Sequence, residues 1–327
     1  MQRPCVDSAL IARWRDAIDQ WEATGEGATS SITGGGAIRA LEVAFGDRLD
    51  GRPCLSLGSG TAALAACLVG VGVKPGDHVL TSALDWPAAT EAIRWIGAIP
   101  RYVDVGRATA TISPARVRQA CDDRVTGLVA THLFGIPADV PTLRSALPSG
   151  IAIVEDCAQA LGAQLDDAAV GTLGDAAAFS FGPGKMIDAG EAGMSVFASE
   201  DSWGRAVVAT QHRVRALATE ARASVHLSSR MHPMAAVLAL TDLEDLDSRI
   251  SSRQADVQGW LGEHPEIALV GGDARRRPSF WRVPVRHAPE DFTNPLPPEL
   301  ALGTPSQTPI ARELIDEVRL AHVPTAQ

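Results

Sequence analysis

The chain has 327 residues, 46% of them hydrophobic, and a formal net charge of −10. That length suffices for one large domain, or for a large and a small one, around a real core. The acidic balance argues against nucleic acid or an anionic membrane as a partner, because both favour a basic face, but it leaves room for a small anion held by local donors.

In chain order, residues 1–30 form a helical N-terminal segment. Apolar runs then alternate with helical patterns. The predicted strands are Pro53–Leu57, Asp77–Ala83, Ile99–Val105, Gly127–His132, Ile151–Asp156, Ala176–Phe181 and Gly193–Ala198. The helices between them are Thr61–Val71, Ala88–Trp95, Pro114–Cys121 and Val140–Ala146. Several of the strands are nearly unbroken apolar stretches, as in a sheet covered on both faces. Strands alternating with helices predict an α/β fold with a mostly parallel seven-stranded sheet between helices, over residues 31–215. Ligands of such sheets bind at the carboxyl ends of the strands.

The pattern changes after Ser202. Residues 203–260 read as largely helical, and Met231–Ile250 is amphipathic, with Leu243, Leu246 and Ile250 at helical spacing. Beyond Pro278 the chain offers one strand, Phe280–Val285, then a proline-rich stretch at 289–309 and a short helix at 310–321. Residues 216–327 are therefore expected to form a smaller, reduced α+β domain.

The five cysteines, Cys5, Cys54, Cys67, Cys121 and Cys157, are odd in number and lack metal-ligand spacing, so no metal is expected. Four lie in or beside apolar segments, where free buried thiols are common. Reduced cysteines in a cytoplasmic protein are the expectation. The opening residues have no apolar signal core, and no segment reaches the roughly 18 apolar residues that span a bilayer.

The chemistry concentrates at strand ends. Gly58-Ser-Gly-Thr61 follows the first strand and opens a helix, where small residues let backbone amides approach an anion; an ordinary turn is the other reading. Asp156 ends Ile151-Ala-Ile-Val-Glu-Asp156, and Lys185 follows the strand in Ala176-Ala-Ala-Phe-Ser-Phe-Gly-Pro-Gly-Lys185. Lys74 and Lys185 are the only lysines in the chain, and arginine supplies nearly all the positive charge. A lysine kept where arginine is otherwise used points to a need for a deprotonatable amine. An acid and an amine at neighbouring strand ends suit pyridoxal phosphate, whose ring nitrogen needs a carboxylate and whose aldehyde needs an amine. Asp156 also suits a helix N-cap. Trp86, just past a strand, could stack on a pyridine ring or serve as a core or lid residue. His132 ends another strand and is more simply read as structural.

Together these segments resemble the DegT/StrS family of pyridoxal phosphate sugar aminotransferases, of the aspartate aminotransferase fold type I. The resemblance runs from about Ile32 to Arg253 and rests on motifs in the family's order. They are Ser59-Gly-Thr-Ala-Ala-Leu64, Pro75-Gly-Asp-His-Val79, Gly97-Ala-Ile-Pro-Arg-Tyr-Val-Asp104, His132-Leu-Phe-Gly135, Glu155-Asp-Cys-Ala-Gln-Ala-Leu-Gly-Ala163, Gly171-Thr-Leu-Gly-Asp175, Phe179-Ser-Phe181 with Lys185, Gly190-Glu-Ala-Gly193 and Ser229-Arg-Met231. By that resemblance, Lys185 carries the cofactor as a Schiff base and shuttles the proton, and Asp156 holds the pyridinium nitrogen. Gln159 lies near the ring hydroxyl and Trp86 stacks on the ring. Ser59, Gly60, Thr61 and Ser180 form the phosphate site. The resemblance further implies a homodimer with shared sites, reached through Ser228 and Arg230, with a dimer also accounting for the apolar residues of Met231–Ile250.

Three departures stand out. Ser228 replaces a usual asparagine, Gly190-Glu-Ala-Gly193 replaces Gly-Glu-Gly-Gly, and Ser279-Phe-Trp-Arg-Val-Pro-Val-Arg286 lacks the family's histidine and tyrosine. The region that reads a nucleotide-sugar in relatives is shortened here. Lys185 sets the chain apart from a dehydrating branch in which histidine takes that place. The implied reaction moves an amino group from an amino acid, glutamate or glutamine by analogy, to a keto-sugar, keto-cyclitol or similar polar ketone. A different pyridoxal phosphate reaction (decarboxylation, elimination or carbon–carbon bond formation) is the alternative. A non-catalytic binding protein of the same fold is a third reading, opposed by the intact Lys185, Asp156 and Ser180.

Overall fold

A computed structural model describes residues 8–23, 32–217, 219–223, 225–286, 293–295, 300 and 308–321. The strands are β1 Cys54–Leu57, β2 His78–Ser82, β3 Ile99–Val103, β4 Val125–Thr131, β5 Ala152–Asp156, β6 Gln164–Leu165, β7 Ala168–Ala169, β8 Ala176–Ser180 and β9 Gly193–Phe197, then β10 Ala268–Leu269, β11 Arg276–Arg277, β12 Pro284–Arg286, β13 Thr293–Pro295 and β14 Arg319–Ala321. The helices are α1 Ser8–Ala23, α2 Ala37–Asp47, α3 Gly60–Gly70, α4 Ala88–Trp95, α5 Pro114–Ala120, α6 Val140–Ala146, α7 Glu200–Thr210, α8 Arg213–Ala216, α9 Pro233–Glu244, α10 Leu246–Glu263 and α11 Pro309–Glu317.

All seven strands expected of the large sheet are present, in the order β1-β9-β8-β5-β4-β2-β3. Only β9 runs against its neighbours. The carboxyl ends of β1, β2, β4, β5 and β8 therefore share one edge. Alternation along each strand divides the core. Val79, Val129, Val154 and Ala178 pack with α3 and α4, whereas Leu80, Leu128, Ala130 and Ile153 pack with Val117 of α5 and Leu143 of α6. Ala62, Ala63, Ala65 and Ala66 of α3 share the first layer with Ala176 and Ala178, and such small side chains let a helix sit close to a sheet. Cys54, Cys67, Cys121 and Cys157 are free thiols, and burial pushes Cys67 up to about 12.

Several expectations need correction. Met231–Ile250 is two helices, α9 and α10, broken at Asp245, and Met231 precedes the first of them. Many of its apolar residues pack within the chain, against Ile38, Leu41 and Phe45 of α2, while Met234, Leu238 and Leu240 stay partly exposed. The described residues between 217 and 232 are not helical. The strand expected at Phe280–Val285 starts only at Pro284, because Phe280 takes a left-handed φ of 56°. The closing helix ends at Glu317, and 319–321 pairs as a strand in a four-stranded sheet of order β10-β12-β14-β13. Most of the proline-rich stretch at 289–309 lies outside the described residues, as do Cys5 and 24–31.

One buried carboxylate ties the sheet edge to its loops. Glu155 is fully buried, and its Oε1 accepts the amides of Leu173 and Gly174 at 2.9 and 2.7 Å. Oε2 accepts the amide of Gly171 at 3.0 Å and lies 3.0 Å from His132 Nε2. Glu155→Ala orphans these donors at about 1–3 kcal/mol each, so urea unfolding should show a loss of at least about 3 kcal/mol. A loss below about 1 kcal/mol would contradict this role.

Candidate active site

The shared edge gathers most of the residues singled out from the sequence. Thr131 and Asp156 are register partners at the ends of β4 and β5, and Asp156 pairs with Ala178, two residues before Ser180. Asp156 is 5% exposed, and its Oδ1 accepts the amide of Ala158 at 3.0 Å. No helix follows it, so it caps a turn rather than a helix. Burial pushes its carboxyl above the usual range, opposed by the Ala158 amide, by Lys185 and by His132.

Lys185 is half-buried on the loop after β8. Burial pushes its amine below the ordinary value; the Asp156 charge opposes that shift and Arg282 reinforces it. The amine lies 4.0 Å from the centre of the Trp281 ring, and Trp281 Nε1 donates to the Gly184 carbonyl at 2.9 Å. The loop is braced from below. Asp188 Oδ2 accepts the amide of Gly184 at 2.9 Å and its Oδ1 that of Gly190 at 3.1 Å. The Asp188 amide in turn donates to Asp242 Oδ2 at 2.8 Å. Arg13 pairs with Asp242 at 3.3 Å, and Arg249 Nη1 donates to the Met186 carbonyl at 2.8 Å.

The turn into α3 forms a cradle. Ser59 Oγ caps the helix by accepting the amide of Ala62 at 3.2 Å. Helix geometry leaves the amides of Gly60 and Thr61 without an intrahelical acceptor. A Cβ on Gly60 would lie 2.7 Å from Ser180 Cβ, so only glycine admits Ser180 there. Gly193 is equally constrained, because its Cβ would meet the Ser59 carbonyl at 2.4 Å.

Gln159 is nearly buried, and its Oε1 accepts the amide of Phe134 at 2.7 Å. An N–H needs an acceptor, so this bond fixes the amide flip and turns Nε2 the other way. Phe134 has a left-handed φ of 61°, a conformation costing about 1–3 kcal/mol in a side-chain-bearing residue. Trp86 is 56% exposed, as a stacking surface requires. Its amide donates to Asp85 Oδ1 at 2.7 Å, and Asp85 Oδ2 accepts from Thr131 Oγ1 at 2.6 Å. Asp85 is fully buried; burial and then the Asp156 charge push its carboxyl well up. Sequence reasoning passes over Asp85, although it immediately precedes Trp86, and nothing in its spacing marks it.

Ser228 and Arg230 fall elsewhere. Both are exposed, Ser228 with a φ of 43°, and they line a cavity of about 430 Å³ with Ser56, Arg215 and His232 rather than with Lys185. The backbone is nonetheless close to the cradle, since a Cβ on Gly58 would lie 3.4 Å from the Arg230 carbonyl. His132 is structural, as the simpler reading expects. Its Nδ1 accepts the amide of Ala138 at 2.9 Å, which leaves Nε2–H for Glu155. His132, Glu155 and Cys157 place ligand-type atoms within 4.8 Å of one another. Both ring nitrogens are in use, however, and burial pushes the Cys157 thiol well up, so the trio does not suit a metal. Among the described residues, no helix is long and apolar enough to cross a membrane.

Comparison with known proteins places the chain among aminotransferases by sequence and fold. The chain is 32% identical over 223 residues to a UDP-N-acetyl-3-dehydro-alpha-D-glucosamine 3-aminotransferase of Acidithiobacillus ferrooxidans, which covers 66% of this chain and 57% of that protein. It is 30% identical over 254 residues to an L-glutamine:2-deoxy-scyllo-inosose aminotransferase of Micromonospora echinospora, covering 72% of this chain and 60% of that one. The match thus spans less than two thirds of either relative's length. The crystal structure of DesV from S. venezuelae, in complex with a ketimine intermediate, superposes with a TM-score of 0.82 at 26% identity, covering 96% of this chain and 90% of that one. With the family's sequence pattern matched over residues 19–293, the chain belongs to the DegT/DnrJ/EryC1/StrS aminotransferase family.

Proposed function

We propose that this protein is a pyridoxal phosphate-dependent aminotransferase that moves an amino group from an amino acid, glutamate or glutamine, to a keto-sugar, keto-cyclitol or related polar ketone. The observation that carries this reading is the placement of Lys185 and Asp156 around one edge, close enough for each to shift the other's titration. The residues fit the cofactor. Asp156 is a buried carboxylate that burial leaves in need of a cation, and a protonated pyridine nitrogen is one. The free amides of Gly60 and Thr61, with Ser180 beside them, suit a phosphate at a helix N-terminus.

When bound, pyridoxal phosphate supplies an aldehyde that takes up amino groups and an electron-poor ring that acidifies the carbon beside the nitrogen. The chain's own residues do the rest. The Asp156 carboxylate keeps the proton on the ring nitrogen. Gln159, held by its oxygen, would offer Nε2 to the ring hydroxyl, and the exposed Trp86 would cover a ring face. Lys185 Nζ, its basicity lowered by burial, takes the proton from the substrate carbon and returns it one position away. Asp188 and Asp242 keep the loop, and so Nζ, in register with that carbon. A homodimer that shares its sites through the exposed Ser228 and Arg230 belongs to the same proposal, as does a cytoplasmic setting.

Amine exchange tests the reading. Protein loaded with pyridoxal phosphate should convert L-glutamate or L-glutamine to its keto acid, with a shift of the violet absorbance. Lys185→Ala should slow this by at least about 10³-fold. Exchange by the variant within about tenfold of the parent, or a spectrum indifferent to every amino donor, counts against it. Asp188→Ala should lower kcat by about ten- to a hundredfold, because a small displacement of Nζ is enough. A change confined to thermal stability would contradict that bracing role.

A further inference from the structure

The wall facing Lys185 comes from Ser279-Phe-Trp-Arg282, the stretch that departs from the family pattern. The structure docks it on the site at several points. The Ser279 amide donates to the Gly135 carbonyl at 3.3 Å and the Arg282 amide to the Phe134 carbonyl at 3.4 Å. Arg253 Nε donates to the Phe280 carbonyl at 3.1 Å. Phe280, buried with a φ of 56°, meets Phe134, with a φ of 61°, across these bonds. Two left-handed phenylalanines at one junction mark backbone held in place for a purpose.

What this backbone presents is Trp281 with two cations. Lys185 Nζ lies 4.0 Å from the ring centre and Arg282 Cζ 4.7 Å from it. Arg282 is exposed, and among the described residues no carboxylate pairs with its guanidinium. Its charge reaches both Lys185 and Arg253, where it works against the carboxylates Asp156 and Asp256. In a chain of net charge −10, an arginine with no carboxylate partner among the described residues, over the same indole as Lys185, stands out. An indole that fixes a guanidinium leaves its planar fork of donors free for a carboxylate or phosphate.

We propose that Arg282, steadied on Trp281, binds an oxyanion carried by the substrate, and so sets the enzyme's preference for anionic substrates. This rests on the aminotransferase reading of the site. The oxyanion can be the carboxylate of the amino donor or a phosphate on the acceptor; the guanidinium reads both through the same paired hydrogen bonds.

The test uses the protein saturated with pyridoxal phosphate, so that the phosphate cradle is filled. Calorimetric titration with glutarate and with inorganic phosphate compares the parent, Arg282→Lys and Arg282→Gln. The expected result is an affinity about tenfold lower in Arg282→Gln, with Arg282→Lys between. Weakening for glutarate alone identifies the donor's carboxylate, and weakening for phosphate alone a phosphorylated acceptor. Equal affinities in all three proteins, or a parent that binds neither anion, overturn the proposal. The violet absorbance of the same samples separates the two layers. Its absence in the parent removes the aminotransferase reading, whereas its presence with equal affinities removes only the role of Arg282.

Discussion

The site depends on how β5 ends. Glu155 and Asp156 are neighbours in the chain, and strand alternation sends them to opposite faces. Glu155 is a buried carboxylate whose charge is fully met, by three amides and His132. Asp156 is a buried carboxylate met by one amide and, without a direct hydrogen bond among the described residues, by the charges of Lys185 and His132. The first arrangement makes an anchor. The second leaves an acid that gains from any cation brought against it, the property a pyridinium-binding residue needs. Asp85 sharpens the contrast, because it too is fully buried, and burial and then the Asp156 charge push its carboxyl well up.

Around that acid the chain places rigid supports under a few adaptable groups. The lysine loop hangs from Asp188 and Asp242, with Arg13 of α1 and Arg249 of α10 behind them. Residues from widely separated parts of the sequence thus set where one amine sits. The opposite wall is built at Phe134 and Phe280, whose left-handed backbones link Gln159 to Trp281. Strain of this kind persists only where the surroundings over-determine it. Here the surroundings are the hydrogen bonds that join the two segments.

Much of this was legible in the sequence. The strands of the large sheet could be read because each is an apolar run between turn residues, and their alternation with helices fixed the α/β class. Asp156, Lys185 and Ser180 could be placed at one edge because parallel strands carry their ends together. The unread parts are non-local. The strands β10, β11 and β14 have two or three residues each and no periodicity to detect. Asp85 looks like any polar residue after a strand until Thr131 comes beside it. Phe280 breaks an apparent strand because its neighbours hold it left-handed, which no local pattern reveals. Met231–Ile250 reads as one amphipathic stretch with no stated inner partner, because the α2 residues it packs on lie far away in the chain.

The central claim is that Lys185 is the residue that takes the cofactor. The chain has only two lysines, so a chemical trap gives a clear answer. Protein incubated with pyridoxal phosphate, reduced with borohydride and digested should carry the pyridoxyl group on the peptide containing Lys185, with Lys74 unmodified. Labelling of Lys74 alone, or no stoichiometric labelling, would contradict the account.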